Sequence, residues 1–206
     1  MKHKIGILIL ALISVALNSM AADNAADILN KAAAKLRSAQ SVKATFTLTS
    51  SASAGIVKGE MLLAGNKFRI SSPQYTSWFD GSTQWVLNMA DKEVNVSTPT
   101  SQELQMVNPI MVLNRFSREY TVTLLKSPST QRVLRLTAKQ KNSDIRQAVV
   151  TLNSTTMLPE SITLTASNGT TVTIKLAGLK IGSKMADAYF RFSPSAYPNV
   201  DIIDLR

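Results

Sequence analysis

The sequence is poor in the residues that perform most covalent and metal chemistry. It has no cysteine among its 206 residues, and its only histidine is His3. Without cysteine there is no disulfide, no thiolate nucleophile and no thiolate metal ligand. Because histidine is confined to the extreme N-terminus, the rest of the chain lacks the commonest general base and the Ser-His and Cys-His pairs. Any catalysis would have to use carboxylates, lysines or tyrosines.

Carboxylates are scarce as well, with 13 Asp and Glu against 23 Lys and Arg. The densest acidic group is Asp80, Asp91 and Glu93, and paired carboxylates can serve glycoside hydrolysis. Asp80 and Asp91 stand in turn sequences, however, where aspartate hydrogen-bonds its own backbone. Asp201 and Asp204 lack the spacing of a calcium-binding loop. We therefore expect neither an enzyme nor a bound metal or other cofactor.

The first residues have the pattern of a secretory signal. Two lysines precede an apolar run, Ile5 to Leu17, and small residues follow it. This run is too short to span a membrane, and no second long apolar run follows. The pattern predicts cleavage after Ala21, or alternatively after Ala22. We expect a signal peptide over residues 1–21 and one exported domain over residues 22–206.

Beyond the signal, the sequence predicts one helix and many strands. Ala25 to Ala39 carries apolar residues at helical spacing, and Asp23 or Asn24 can cap it. The rest alternates with period two and is punctuated by turn signals such as Asp80-Gly81, which predicts about eleven or twelve antiparallel strands in a sandwich or barrel. The predicted strands are 42–49, 56–64, 67–71, 77–79, 83–88, 93–97, 120–126, 132–138, 145–152, 161–166, 171–176 and 189–192.

The segment from Pro99 to Phe116 interrupts this pattern. Thr100 and Glu103 have the spacing of a capping box, and Pro109 fits the first turn of a second short helix. The residues after Pro109 are apolar on nearly every side, which is typical of a helix that is buried or that covers an apolar surface.

Large apolar residues concentrate in the same third of the chain. The periodicity favours a closed sandwich core, whereas an apolar sheet face capped by short helices would form a ligand cavity. Methionine suits such a cavity because its side chain adapts to varied shapes. The residues concerned are Met61, Leu63, Phe68, Ile70, Trp78, Phe79, Trp85, Leu87, Met106, Met111 and Phe116.

Five local patterns follow one another from the N-terminal helix to Asp201. They are Phe46 within 42–47, Gly59 to Leu63 followed by Lys67 to Ile70, Asp80-Gly81 with Trp85, the Pro-led segment 108–113, and Phe190 to Pro194 with Asp201. In this order they resemble the LolA family, periplasmic carriers of outer-membrane lipoproteins.

The resemblance implies a mainly β (α+β) fold. It would be an incomplete, strongly bent antiparallel β-barrel of about eleven strands, with the N-terminal helix and short lid helices over an apolar cavity. It also implies a monomeric carrier in the periplasm of a Gram-negative bacterium. The carrier would shield the acyl chains of lipoproteins and deliver them from an inner-membrane lipoprotein-releasing transporter to an outer-membrane receptor.

The same resemblance implies the residues of the cavity. On the sheet side they are Phe46, Leu48, Met61, Leu63, Phe68, Ile70, Trp78, Trp85 and Leu87. On the lid they are Met106, Pro109, Ile110, Met111, Leu113 and Phe116.

Two alternatives stay open: a binding protein for another lipid or a lipoprotein sensor of the same fold, and a ligand-free structural β-sandwich. A basic stretch could dock an acidic partner or anionic lipid, or could be a solvated hairpin face. It contains no interleaved aromatic residues, which argues against nucleic acid. Its members are Arg132, Arg135, Lys139, Lys141 and Arg146.

Overall fold

The computed structural model describes residues 24–101, 103–104 and 116–206. Helix α1 spans Ala25–Ser38, and the Asn24 side chain caps it by accepting a hydrogen bond from the Asp27 N–H at 2.9 Å. A second short helix, α2, spans Phe116–Glu119. The predicted signal peptide and most of the predicted lid lie outside the described residues.

Twelve strands form one continuous sheet. Their bounds are β1 Ser41–Ser50, β2 Ser53–Ala64, β3 Lys67–Ser71, β4 Tyr75–Phe79, β5 Gln84–Asn88, β6 Glu93–Ser97, β7 Tyr120–Leu125, β8 Gln131–Ala138, β9 Ile145–Asn153, β10 Pro159–Ala166, β11 Thr171–Gly182 and β12 Asp201–Asp204.

The strand order is β12-β6-β5-β4-β3-β2-β1-β11-β10-β9-β8-β7. All neighbours are antiparallel except β12, which runs parallel to β6. The two end strands do not pair with each other, so the described sheet is open. This confirms the incomplete barrel with an N-terminal helix and shows that the alternative of a two-sheet sandwich is wrong.

We call the side of the sheet that α1 covers the inner face. Ile28 and Leu29 of α1 are buried there in one core with strand residues such as Phe68, Leu134 and Val150. Lys35 also joins α1 to the turn between β9 and β10, because its Nζ donates a hydrogen bond to the Thr156 carbonyl at 2.7 Å. Burial of this core is the main driving force for folding, since the chain has no disulfide.

The opposite side, the outer face, is partly covered by what we call the C-terminal segment, residues 183–200. The expected strand over 189–192 is wrong, because Asp187–Phe190 forms a 3-10 helix instead. Phe192 then packs edge-on against Trp78, with ring centroids 5.6 Å apart. The segment follows the sheet surface here because this aromatic contact, rather than strand pairing, holds it.

Two ion pairs fasten the C-terminal segment. Lys67 bonds Asp187 at 2.7 Å, and the Arg191 Nε donates to Asp80 at 3.0 Å. The other oxygen of Asp80 accepts the N–H groups of Ser82 and Thr83, so Asp80 is a turn residue as the sequence predicts. Burial acts to raise the pKa of Asp80, but these hydrogen bonds and Arg191 outweigh it and lower the pKa below 3.8.

Gly59 makes room for an aromatic ring on the inner face. It pairs with Phe46 across β1 and β2. A Cβ at Gly59 would stand 2.1 Å from the Ser71 carbonyl oxygen and 2.6 Å from the Phe46 ring. The strand therefore requires glycine at this position because the Ser71 carbonyl and the Phe46 ring approach closely, and not because of its φ angle.

Replacing Gly59 with alanine should lower the free energy of unfolding by about 1–3 kcal/mol, because the new methyl group must displace the Ser71 carbonyl or the Phe46 ring. Gly55→Ala is the matched control, since it lies in the same strand and nothing stands within 4 Å of the position that its new Cβ would take. We expect the control to be neutral or slightly stabilising. Urea denaturation measures both variants, and equal stabilities would contradict the close packing.

Asp80→Asn should remove an acid-sensitive part of the stability while keeping the turn acceptor. The folded-state pKa of Asp80 is lowered, so its charge stabilises the fold above the unfolded-state value of 3.8 and loses that effect as pH falls through the folded-state pKa. We expect the variant to be less stable by about 1 kcal/mol near neutrality. In urea denaturation the difference from wild type should shrink on acidification, and a pH-independent difference would contradict the role of the charge.

Candidate functional site

The inner face is only partly covered by α1. Val42 and Ala44, in the first half of β1, are buried beneath the helix. Phe46 and Leu48, further along the same face of β1, are only half-buried. Side chains two residues apart share a face, so this change along one strand marks where the cover of α1 ends.

The half-buried apolar residues beyond α1 form a continuous patch, which we call the inner-face strip. Leu48 pairs with Val57 on β2, and Phe46 pairs with Leu176 on β11, so these side chains are neighbours on one face. Ile70 joins them through Met61, its partner on β2. A contiguous apolar surface that remains accessible is typical of a binding site for an apolar ligand or partner. The strip consists of Phe46, Leu48, Val57, Ile70 and Leu176.

Two residues at the ends of the predicted lid region, Leu104 and the predicted lid residue Phe116, are both buried in the inner-face core. The capping box ahead of this region is present. The Thr100 N–H and Oγ1 lie 2.6 and 2.8 Å from the Glu103 carboxylate, whose pKa these two hydrogen bonds lower. The predicted lid residues Met106, Pro109, Ile110, Met111 and Leu113 lie outside the described residues.

The structure places six of the nine predicted sheet-side residues on the inner face. Met61, Leu63 and Phe68 are buried in the core. Phe46 and Ile70 pack against that core while remaining half-buried, and Leu48 continues the same face of β1. Their role in binding stays a prediction.

The other three, Trp78, Trp85 and Leu87, lie on the outer face, so the inward placement predicted for them is wrong. The β4–β5 hairpin pairs Phe79 with Gln84, which sets Trp78 opposite Trp85 on the other side. Phe79 takes the inner position, with its ring centroid 5.4 Å from that of Phe68. The sequence alternation does not show which residues of β4 point inward, because this strand is buried on both faces.

Sequence reasoning also missed the contribution of the second half of the sheet. It predicted these strands but assigned none of their side chains to the site, although their apolar residues alternate clearly. The apolar side chains of β8, β9 and β10 complete the inner-face core. They are Leu134, Leu136, Ala148, Val150, Leu152, Ile162 and Leu164.

The five residues of the predicted basic docking stretch do not form one patch. Arg132 lies near the start of β8 and Lys139 directly follows its last residue, so they are about 23 Å apart at the usual rise of a strand. Arg135 lies between them and is exposed, whereas Lys141 and Arg146 are exposed near Lys139 at the β8–β9 hairpin. The hairpin end is therefore the part of the stretch where basic residues gather.

Within 24–101, 103–104 and 116–206, no three His, Cys, Asp or Glu side chains come together as a metal site. The buried Tyr120 hydroxyl donates to the Ile145 carbonyl at 3.2 Å, and burial, assisted by Glu119 and Asp144, raises the pKa of Tyr120. None of the described helices is long and apolar enough to cross a membrane.

Comparison with solved structures bears on the fold. An uncharacterized conserved protein from Thermus thermophilus matches with a TM-score of 0.56 at 8% identity, over 85% of this chain and 96% of that chain. At this identity the likeness concerns the fold alone. No curated protein matches the sequence.

Two further structures are similar at TM-scores below 0.5 and carry no additional weight. A LolA superfamily protein from Nitrosomonas europaea matches at 0.43 with 14% identity, over 83% of this chain and 99% of that chain. The MucA/MucB complex of Pseudomonas aeruginosa matches at 0.44 with 16% identity, over 82% of this chain and 61% of that chain.

The family comparison is the decisive one. The model of the outer membrane lipoprotein carrier protein LolA matches residues 15–170 of this sequence. That range includes α1, strands β1 to β10 and every residue of the inner-face strip except Leu176 on β11. Since the match extends over more than half of the chain, the protein belongs to the LolA family of outer membrane lipoprotein carrier proteins.

Proposed function

We propose that the protein is a periplasmic carrier that shields the acyl chains of lipoproteins on its inner face and delivers them from the inner to the outer membrane. The observation that carries this proposal is the inner-face strip, an accessible apolar patch on the face whose core also buries Leu104 and Phe116. Family membership supports the same function.

The strip can supply the binding energy without any covalent step. Each methylene moved from water into an apolar site gains about 0.8 kcal/mol, so burying part of one acyl chain already favours binding strongly. Half-buried Phe46 and Leu48 offer such contact on β1, and Val57 offers it on β2. Release then requires a receptor with a better apolar site, not hydrolysis.

The proposal extends to partners and location. An inner-membrane lipoprotein-releasing transporter would load the carrier in the periplasm, and an outer-membrane receptor would unload it. The exposed basic residues at the β8–β9 hairpin, including Lys141 and Arg146, provide a surface for an acidic region of such a partner. The signal peptide expected over residues 1–21 supports export.

A second cargo class fits the same geometry. A strip of aliphatic and aromatic side chains contacts any acyl chain, whether it belongs to a lipoprotein or to a free lipid. A lipid-binding protein or a lipoprotein sensor of this fold would therefore use the same residues. The identity of the bound molecule separates these functions from the carrier.

Phe46→Glu should weaken acyl-chain binding by about tenfold or more, because it places a charge in the inner-face strip. The measurement is displacement of an environment-sensitive naphthalene dye by palmitate, followed by fluorescence. Thr47→Glu is the matched control, since Thr47 is the next residue on β1 and lies on the outer face between Lys58 and Lys175. We expect the control to bind as wild type does.

Circular dichroism checks that both variants fold, and Leu48→Gln provides a milder change in the same strip should Phe46→Glu be unstable. Absence of acyl-chain binding by the wild-type protein would contradict the proposal. Equal weakening by Phe46→Glu and Thr47→Glu would show that the inner-face strip is not the binding surface.

A further inference from the structure

A groove of about 420 Å³ crosses the outer face, away from the inner-face strip. Its floor is formed by neighbouring side chains of β11, β1, β2 and β3, and its wall by Met185 and Tyr189 of the C-terminal segment. The volume lies within the range of small-molecule sites. We call it the outer groove.

Three cations stand in one row across its floor. Lys180 pairs with Lys43, Lys43 with Leu62, and Leu62 with Arg69, so the four side chains lie side by side on the outer face. Like charges directly opposite each other on antiparallel strands destabilise a sheet. An anion near this position would therefore reduce the repulsion between Lys43 and Lys180.

A β-bulge creates this lysine pair. The pairing of β1 with β11 shifts by one residue between Lys43 and Thr45. Gly178, in the shifted stretch, has a φ of 59°, the left-handed conformation that glycine tolerates and that is common at bulges. Without the shift Leu179 would stand opposite Lys43, but it packs against the inner-face core instead. The bulge thereby sends Lys180 to the outer groove.

The groove keeps most of this positive charge unneutralised. Glu60 is the one acidic residue among the described residues that line it, and its carboxylate lies 3.6 Å from the Lys43 ammonium. Lys180 and Arg69 form no ion pair with any described residue. Three cations against one carboxylate leave a net charge of about +2, close in magnitude to that of a phosphate group at neutral pH.

Arg69 is held in place without using its hydrogen-bond donors. Its guanidinium carbon lies 5.8 Å from the centroid of the Trp78 ring, a cation–π contact that orients the planar group. Its Nε is buried and has no hydrogen-bond partner among the described residues. An arginine oriented by stacking loses little entropy on binding a planar or tetrahedral oxyanion. The Arg69 guanidinium is therefore already oriented, with free hydrogen-bond donors, before such an anion binds.

We propose that the outer groove binds a phosphate group, with Arg69, Lys43 and Lys180 as its cationic ligands. Leu62 on the floor and Met185 and Tyr189 on the wall give contact to an apolar portion next to that phosphate. The phosphate belongs either to a small soluble ester or to a phospholipid head group. The site lies on the face opposite the inner-face strip, so it does not rest on the acyl-chain function.

Isothermal titration of the full chain with inorganic phosphate tests the proposal at the level of the shared chemistry. Lys43→Gln and Arg69→Gln should each weaken phosphate binding by about tenfold, because each removes a charge-assisted contact. Glu60→Gln should strengthen binding, since it removes the opposing carboxylate. Lys58→Gln is the matched control, because Lys58 is an exposed lysine on the same face of β2 outside the groove, and it should leave binding unchanged.

Cosedimentation with phosphatidylglycerol and phosphatidylcholine vesicles identifies the source of the phosphate. Vesicle binding that is lost in Arg69→Gln and kept in Lys58→Gln supports a head group, whereas phosphate binding without vesicle binding supports a soluble ester. Lack of binding to both probes would overturn the proposal. Equal weakening by Lys58→Gln and Lys43→Gln would overturn it too, because it would reveal only general attraction to a basic protein.

Discussion

Alternation of side chains along a strand is the constraint on which the rest of this structure depends. A single sheet has two faces, and each apolar face must be covered. Here α1 covers part of the inner face, and the C-terminal segment covers part of the outer face around Trp78. Because both covers are partial, each face keeps an accessible region. The inner one is apolar and the outer one is cationic.

This division gives the protein two chemically distinct surfaces on one sheet. Phe46 lies on the inner face because Gly59 leaves room for its ring, and Lys180 lies on the outer face because the bulge at Gly178 turns it there. Glycines thus determine what each surface presents. The apolar strip suits the proposed function of an acyl-chain carrier, which needs affinity without chemistry, and the chain belongs to the LolA family.

The sequence predicts α1 and nearly all the strands because their patterns are local. It places Phe46 and Phe68 correctly, since β1 and β3 carry polar or charged residues on their other face. The inward prediction fails at Trp78, because apolar residues occupy both faces of β4. The face that Trp78 takes depends on the C-terminal segment, which Arg191 joins to Asp80 of the β4–β5 turn across 111 residues of sequence. The sequence also does not predict the parallel strand Asp201–Asp204, because its four exposed residues follow no burial pattern and its partner β6 is distant in sequence.

The most direct test is native mass spectrometry of the protein recovered gently from the periplasm of a Gram-negative host. We expect a one-to-one complex with a triacylated lipoprotein, because in the proposed function the inner-face strip would contact the acyl chains and leave the protein part of the cargo outside. Recovery of the protein with a small lipid alone, or with no bound molecule, would contradict the carrier function.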